Sequence, residues 1–261
     1  MSNPHNIAQH FLLFLGHARE QIAKAGGNDG PLRLKLTHTR RVLRNASRIA
    51  RSEGFSPALC RVCRLSALFH DIARFPQYLE FHSFRDRETR NHGCWGVQIL
   101  KKSGWLDGEE AETRRLVLAA IALHNRYSLP AALAQKARPA ALTLRDADKL
   151  DILRVLHAHL DRPGPHNPTV VLNLPETAGP ASPVVRKAVM EGRLAAYTDL
   201  KSVNDFRMLL GTWFLDLNFT ASRLQYLADG HARAIVAALP DDASYGPPRR
   251  KLLAMFDSWR P

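Results

Sequence analysis

Six histidine and aspartate side chains of this sequence occupy positions from which they could bind a metal ion. They are His38, His70, Asp71, His92, His124 and Asp148. His38 lies on the helical stripe of Leu34, Val42 and Ala46, so its ring is expected to point into the interior with these apolar residues. A buried imidazole needs partners for both nitrogens, and a single one is more often bonded to a carbonyl than to a metal. Four histidines at such positions favour a metal centre.

The pairing of histidine with carboxylate defines the chemistry of that centre. His70 and Asp71 are adjacent, and adjacent helical residues project about 100° apart, so the two side chains can bind one ion from two sides. Asp148 follows a stripe of apolar residues that places it beside the core, where a carboxylate needs a cation or hydrogen-bond donors. Imidazole and carboxylate without thiolate suit manganese, iron, cobalt, nickel or zinc better than calcium. The sequence therefore predicts one or two divalent transition metal ions.

Helices must position these residues. The apolar spacing i, i+3, i+4 recurs along the chain with almost no alternation of period two, which predicts an all-α fold. Predicted helices cover residues 7–25, 31–54, 56–74, 91–102, 107–126, 140–160, 184–192, 202–228, a segment from 231, and 249–259. Asp107 and Glu110 have the spacing of a capping box for the fifth helix.

A proline-rich segment gives the clearest internal boundary. Residues 162–168 (RPGPHNP) cannot continue a helix, because proline lacks the backbone donor and restricts the preceding residue. We expect an N-terminal helix in residues 1–30, a metal-binding core in 31–160 and a helical extension in 161–261 that packs on the core. Trp213, Phe214, Leu217 and Phe219 are expected to belong to the core of that extension.

In their order and context, the six residues resemble the HD-domain superfamily of metal-dependent phosphohydrolases. The segments LFHDIARF at 68–75 and DADKLD at 146–151 are similar to the two most characteristic segments of that family. The resemblance covers about residues 31–160 and implies an all-α helical bundle. It implies one metal on His38, His70, Asp71 and Asp148, and a second on His92 and His124, with Asp71 as the bridging, catalytic carboxylate.

The resemblance also implies an activity. Metals in this family lower the pKa of a bound water and neutralise phosphoryl oxygens. The chain is therefore expected to hydrolyse a nucleotide or another small phosphate ester. Asn125 stands where the cyclic-dinucleotide phosphodiesterases of the family carry a second consecutive histidine, which argues against a trinuclear centre.

Three basic residues near the expected ligands are candidates for substrate binding: Arg74, Arg126 and Lys149. The fork of the Arg74 guanidinium matches phosphate oxygens, although the same arginine could instead stabilise the C-terminal dipole of its helix. Residues 81–90 interleave aromatic and arginine side chains and could form a lid over a nucleotide or a solvated surface loop.

The same residues are compatible with two other functions. Some HD proteins use these six ligands for a di-iron pair that activates oxygen. An HD scaffold can also act without catalysis, as a module that binds a nucleotide or a partner. Retention of all six buried ligands favours an enzyme, because a binding module has no need of such costly residues.

Composition limits the partners and the compartment. The chain has 37 Lys and Arg against 24 Asp and Glu, a net charge of +13, which favours an anionic small-molecule substrate. The basic residues are scattered and no nucleic-acid-binding motif is found, so the charge could also be a solvated basic surface. The longest apolar stretches are too short to span a membrane, residues 1–5 do not begin a signal peptide, and three cysteines do not form a disulfide framework. We expect a cytoplasmic protein.

Overall fold

The computed structural model describes residues 7–133, 135–168, 170–176 and 179–261. Across these residues the chain forms helices joined by turns and contains no β-strand, which confirms the predicted all-α fold. Residues 1–6 of the predicted N-terminal segment, and the single positions Ala134, Thr169, Thr177 and Ala178, lie outside the described part. None of the described helices combines the length and the apolar character that a membrane span requires.

Two compact units, residues 1–148 and 149–261, make up the chain. The boundary falls inside one helix, α7, whereas the sequence predicts boundaries at residues 30 and 160; those domain limits stay predictions. The helices of the first unit are α1 (Ile7–Lys24), α2 (Gly30–Ser52), α3 (Pro57–Phe69), α4 (Arg74–Phe81), α5 (His92–Ser103), α6 (Ala111–Leu123) and the first part of α7 (Arg138–Leu160).

Packing in the first unit brings the helices that carry the candidate ligands together. Helix α2 packs along α3, α3 packs against α6, and α6 packs against α5, while α1 covers α3 and α4. Fully buried side chains fill the space between them, among them Phe14, Leu68, Phe69, Ile121 and Leu144. Burial of each such side chain contributes about 1.5 to 3 kcal/mol to folding.

Helix α3 begins as predicted but ends earlier. The Ser56 hydroxyl accepts a hydrogen bond from the backbone N–H of Leu59 at 3.3 Å, and Pro57 occupies the first helical position, where its missing N–H costs nothing. The predicted continuation to Arg74 is wrong, because the helix ends at Phe69. A turn over residues 70–73 follows, and Arg74 begins the separate helix α4. The dipole interpretation of Arg74 is therefore wrong, since this residue starts a helix rather than ending one.

The capping box predicted for the fifth helix is also wrong. Helix α6 begins at Ala111, after Glu110, and no side chain caps its first turn. Asp107 lies instead in a turn, where its backbone N–H donates to the carbonyl of Gly104 at 3.0 Å.

The second unit contains the remainder of the helices. They are the end of α7, α8 (Pro183–Met190), α9 (Val203–Thr212), α10 (Thr220–Asp229), α11 (His231–Ala237) and α12 (Gly246–Ser258), with short 3₁₀ turns at Tyr197–Asp199 and Trp213–Asp216. Helix α9 packs against α8, α11 and α12.

The single long helix predicted for residues 202–228 is broken in the structure. The 3₁₀ turn after Thr212 separates α9 from α10 and turns aromatic side chains inward. Trp213, Phe214 and Leu217 are buried, as predicted, whereas Phe219 is only partly buried.

Candidate metal centre

The structure brings the six predicted ligands together in the first unit. Two groups overlap at Asp71: His38, His70 and Asp71 form the first, and Asp71, His92 and His124 form the second. In each group the candidate ligand atoms lie within 4.8 Å of one another, and all five side chains are buried. Asp148 joins the first group, because its Oδ1 lies 3.0 Å from Nε2 of His38.

The first group presents two ring nitrogens and two carboxylates to one point. The Nε2 atoms of His38 and His70 are 3.3 Å apart. Asp71 Oδ2 lies 3.6 Å from Nε2 of His38 and 3.5 Å from Nε2 of His70. Asp148 Oδ1 lies 3.7 Å from Nε2 of His70. An ion at the centre of these four atoms would have a mixed nitrogen and oxygen environment.

The second group uses the other oxygen of Asp71. Nε2 of His92 lies 3.4 Å from Asp71 Oδ1 and 2.9 Å from Nε2 of His124. The two oxygens of one carboxylate thus face two different sets of imidazoles. This is the arrangement that a carboxylate bridging two ions requires.

Helix ends place three of these ligands. His70 follows directly after α3 and His124 directly after α6, while His92 is the first residue of α5. The Asn91 side chain holds the start of α5 by accepting a hydrogen bond from the backbone N–H of Cys94 at 2.9 Å. His38 lies within α2, whose Asn45 donates to the carbonyl of Ala147 in α7 at 3.2 Å, close to Asp148.

In three of the histidines, hydrogen bonds determine which ring nitrogen is free to bind a metal. Nδ1 of His70 lies 2.9 Å from the carbonyl of Ala67, and Nδ1 of His124 lies 2.7 Å from the carbonyl of Ile121. Nδ1 of His92 lies 2.6 Å from Oδ2 of Asp86. Since carbonyl and carboxylate oxygens only accept, each Nδ1 carries the proton and each Nε2 presents a lone pair.

The donor set fits a divalent metal ion. Burial is the main cause that lowers the pKa of His92 and of His124 to about 4, so both rings are neutral near pH 7. Their Nε2 lone pairs then face each other at 2.9 Å with no proton between them. Such a contact is repulsive alone and favourable around a cation, and imidazole with carboxylate is the ligand set of zinc and its neighbours.

The carboxylates stay ionised in spite of their burial. Burial alone would raise the pKa of Asp71, but Lys35, His70 and Arg74 hold that pKa well below its usual range. Burial would likewise raise the pKa of Asp148, but the hydrogen bond from His38 and the neighbouring His70 lower it. Both groups are therefore available as anionic ligands at neutral pH.

Asp86 is a residue of the site that the sequence did not reveal. Its Oδ2 accepts from Nδ1 of His92 and, at 2.9 Å, from the side-chain amide of Asn125. Its Oδ1 accepts from Arg74 at 2.9 Å and from Gln77 at 3.2 Å. It lies in the non-helical segment before α5, where no periodicity distinguishes it from neighbouring charged residues.

The segment 81–90 is held by α4 rather than standing free. The Gln77 amide donates to the Thr89 hydroxyl at 2.6 Å and to the carbonyl of Arg90 at 3.1 Å. Nη1 of Arg74 donates to the carbonyl of Phe84 as well as to Asp86. These contacts favour a fixed wall of the site over a mobile lid.

Lys35 is a second residue that the sequence analysis missed. Its ammonium donates to Oδ2 of Asp71 at 2.7 Å, and its side chain is 18 % exposed. The sequence does contain an indication of this role: Lys35 precedes His38 by three residues and therefore lies on the same helical face.

The three predicted substrate-binding residues differ in their positions. Arg74 lies beside the second group, with Nε 3.5 Å from Oδ1 of Asp71. The Arg126 side chain is exposed, and only its backbone carbonyl has a described role, as acceptor for Arg145. The Lys149 ammonium forms an ion pair with Asp216 in the second unit. Substrate contacts by these three residues stay predictions.

Asp205, a buried carboxylate of the second unit, has a structural role. It is fully buried, and its carboxylate accepts from the backbone N–H of Ser182 at 3.0 Å and of Lys201 at 2.9 Å. These bonds join the start of α8 to the segment before α9.

Comparison with known families agrees with this geometry. A family model described as HD domain matches residues 36–153, a range that contains all six candidate ligands. Neither the curated proteins nor the solved structures gave a significant match.

Proposed function

Residues 36–153 belong to the HD-domain superfamily, and on this basis we propose that the chain is a metal-dependent phosphohydrolase acting on a nucleotide or another small phosphate ester. The observation that carries the proposal is the orientation of Asp71. Its two oxygens face two separate pairs of imidazoles, as a ligand shared by two metal ions would.

The chain's own residues prepare the site for this chemistry. Ala67, Ile121 and Asp86 hold three imidazoles in the tautomer that leaves Nε2 free for a metal. Two divalent ions, when bound, supply an activated water and neutralise charge on the phosphoryl oxygens. Asp71 and Asp148 provide the anionic ligands that keep such ions in place.

Arg74 supports an anionic substrate. Its Nε is buried and makes no hydrogen bond within the described part of the chain. Its Nη1 is held by Gln77 and Asp86, so the guanidinium is fixed in orientation. A guanidinium fixed in this way beside Asp71 adds a positive charge that favours an anionic substrate.

The direct test is metal analysis followed by a phosphate-release screen. We expect protein purified without chelator to contain up to two metal equivalents and to release phosphate from nucleotides or small phosphate esters with manganese, cobalt, nickel or iron. Oxygen consumption without phosphate release would support the di-iron oxygenase instead. Metal binding with neither reaction on any substrate would contradict the proposed hydrolase.

Two substitutions test the shared role of Asp71. Asp71→Ala should remove both metals and all turnover, whereas His124→Ala should remove one equivalent and leave the other. The exposed His82 serves as control, and His82→Asn is chosen because asparagine tolerates its φ of 51°. Full metal content in Asp71→Ala would overturn the bridging assignment.

A further inference from the structure

Lys35 lies beside the first group and has no role in the function proposed above. The side chains of Lys35 and Asp148 are 18 % and 17 % exposed, whereas those of His38 and His70 are 4 % exposed or less. Of the side chains in contact at the first metal position, those of Lys35 and Asp148 are therefore the most accessible to a ligand from solvent.

Lys35 is held in place at this position. Its ammonium donates to Oδ2 of Asp71 at 2.7 Å and lies 5.3 Å from the centre of the Phe84 ring, on whose face a cation is favoured. An ammonium has three N–H donors, and Asp71 takes one of them. The remaining donors are available to an anion at the first metal position.

We propose that Lys35 is a specificity-determining residue that selects phosphomonoesters over phosphodiesters. This inference rests on the proposed phosphohydrolase function. Divalent ions at the two positions would outweigh the nearby carboxylates of Asp71, Asp86 and Asp148, and Lys35 adds positive charge beside the first group. Such a site favours the phosphoryl group of highest negative charge.

The two ester classes differ in the negative charge that their phosphoryl group presents to the Lys35 ammonium. A phosphomonoester presents a dianion with three terminal oxygens, whereas a diester presents one charge on two free oxygens. Because Coulomb energy is proportional to the product of the charges, the dianion gains about twice as much from the ammonium. A second ester group would also occupy space next to the ammonium that a terminal oxygen fills with a hydrogen bond.

The experiment compares Lys35→Met with Lys35→Arg and with the unaltered chain, all loaded with manganese. The probes are p-nitrophenyl phosphate and bis(p-nitrophenyl) phosphate. For Lys35→Met we expect kcat/KM to fall roughly tenfold to a hundredfold on the monoester and only about threefold to tenfold on the diester, since half the interaction energy is lost there. Lys35→Arg should recover most of the monoester activity, because it retains the charge.

Two further measurements separate specificity from damage to the site. Metal content of each variant should equal that of the unaltered chain, and Lys101→Met, on the exposed face of α5, should change neither activity. Inorganic phosphate, measured by calorimetry on the manganese-loaded protein, should bind at least tenfold more weakly to Lys35→Met.

The outcomes distinguish this inference from the proposed function. An equal loss on both esters, or unchanged phosphate binding in Lys35→Met, would overturn the role of Lys35 while leaving the hydrolase intact. Failure of the unaltered chain to cleave either ester class would contradict the hydrolase. The phosphate-binding measurement alone would then decide for or against Lys35 as the anion-binding residue.

Discussion

Single hydrogen bonds decide which atoms of this centre can act as ligands. His92 differs from His70 and His124, because its Nδ1 proton is accepted by a carboxylate, Asp86, rather than by a backbone carbonyl. A carboxylate partner makes the imidazole a stronger electron donor, and the hydrogen bond between them is charge-assisted. The second group therefore depends on a side chain outside the set of six.

Replacing Asp86 should weaken one metal site selectively. In Asp86→Asn we expect affinity for one metal equivalent to fall about tenfold to a hundredfold, since the negative acceptor of the His92 proton is lost. The other equivalent should remain bound. Metal titration by calorimetry after chelator treatment measures both.

Glu88→Gln is the matched control for Asp86→Asn. It removes a carboxylate from the same segment, but that side chain is 55 % exposed and pairs with Arg85 rather than with a histidine. If Asp86→Asn and Glu88→Gln bind each metal equivalent with the same affinity, Asp86 does not support His92.

The buried histidines predict how metal-free protein responds to acid. Burial lowers the pKa of His92 and His124 from 6.5 to about 4, so between these values the unfolded chain binds protons that the folded chain does not. The free energy of unfolding should therefore be fully retained above pH 6.5 and fall as the pH drops toward 4. The slope is at most about 1.4 kcal/mol per pH unit for each residue.

Urea denaturation of chelator-treated protein across this pH interval measures the effect. In His124→Asn the free energy of unfolding should depend less steeply on pH, by up to about 1.4 kcal/mol per pH unit, because one of the two imidazoles is removed. A free energy of unfolding that does not change with pH in this interval would mean that the two imidazoles are not held neutral by burial.

Helix packing around the second group depends on two glycines in α5. A Cβ atom on Gly96 would lie 3.3 Å from a methyl carbon of Ile72, and one on Gly93 would lie 2.8 Å from the carbonyl oxygen of Ile121. That carbonyl is the acceptor of the His124 Nδ1 proton. The close approach of α5 to α6 and the orientation of His124 are thus linked.

Gly93→Ala should disturb both packing and metal binding. We expect a loss of about 1 to 3 kcal/mol in the free energy of unfolding, the usual cost of overpacking, and weaker binding of one metal equivalent. Thermal melts and metal titration on the same preparation provide the two measurements.

Gly16→Ala provides the comparison, because a Cβ atom there meets nothing within 4 Å and Gly16 lies on the exposed face of α1. It should stabilise the protein by about 0.5 to 1 kcal/mol through helix propensity alone. A similar gain in Gly93→Ala would show that α5 can move away without cost.

The sequence predicted the helices, and the convergence of the six histidine and aspartate side chains, better than it predicted the ends of the helices. Apolar periodicity located α2, α3 and α7, because it reports the buried face of each helix. It did not report the end of α3, since Ile72 and Phe75 are also buried and continue an apolar pattern through the turn at 70–73. Asp86 was missed because its role depends on a contact with His92 across a non-repetitive segment.

For the molecule as a whole, the net charge of +13 makes a testable prediction about the anionic substrate that we propose. Long-range attraction raises the rate of encounter and is screened by salt beyond about 8 Å at physiological ionic strength. We expect kcat/KM to fall about three- to tenfold between low salt and about 0.3 M salt, with kcat nearly unchanged. Steady-state kinetics on p-nitrophenyl phosphate, with sucrose as the uncharged control solute, measure this dependence. A salt-independent kcat/KM would indicate that the basic surface does not act on the substrate.

His70 and His124 share one local design that makes the centre sensitive to insertions and deletions. Each is the residue immediately after a helix, and each ring bonds through Nδ1 to the carbonyl three residues earlier. One residue added or removed between that carbonyl and the histidine would turn the ring by about 100° and shift it away from Asp71. A length change before Pro57 or before Ala111 leaves both registers intact. Chain length is therefore constrained at the carboxyl ends of α3 and α6, and much less in the connections that precede them.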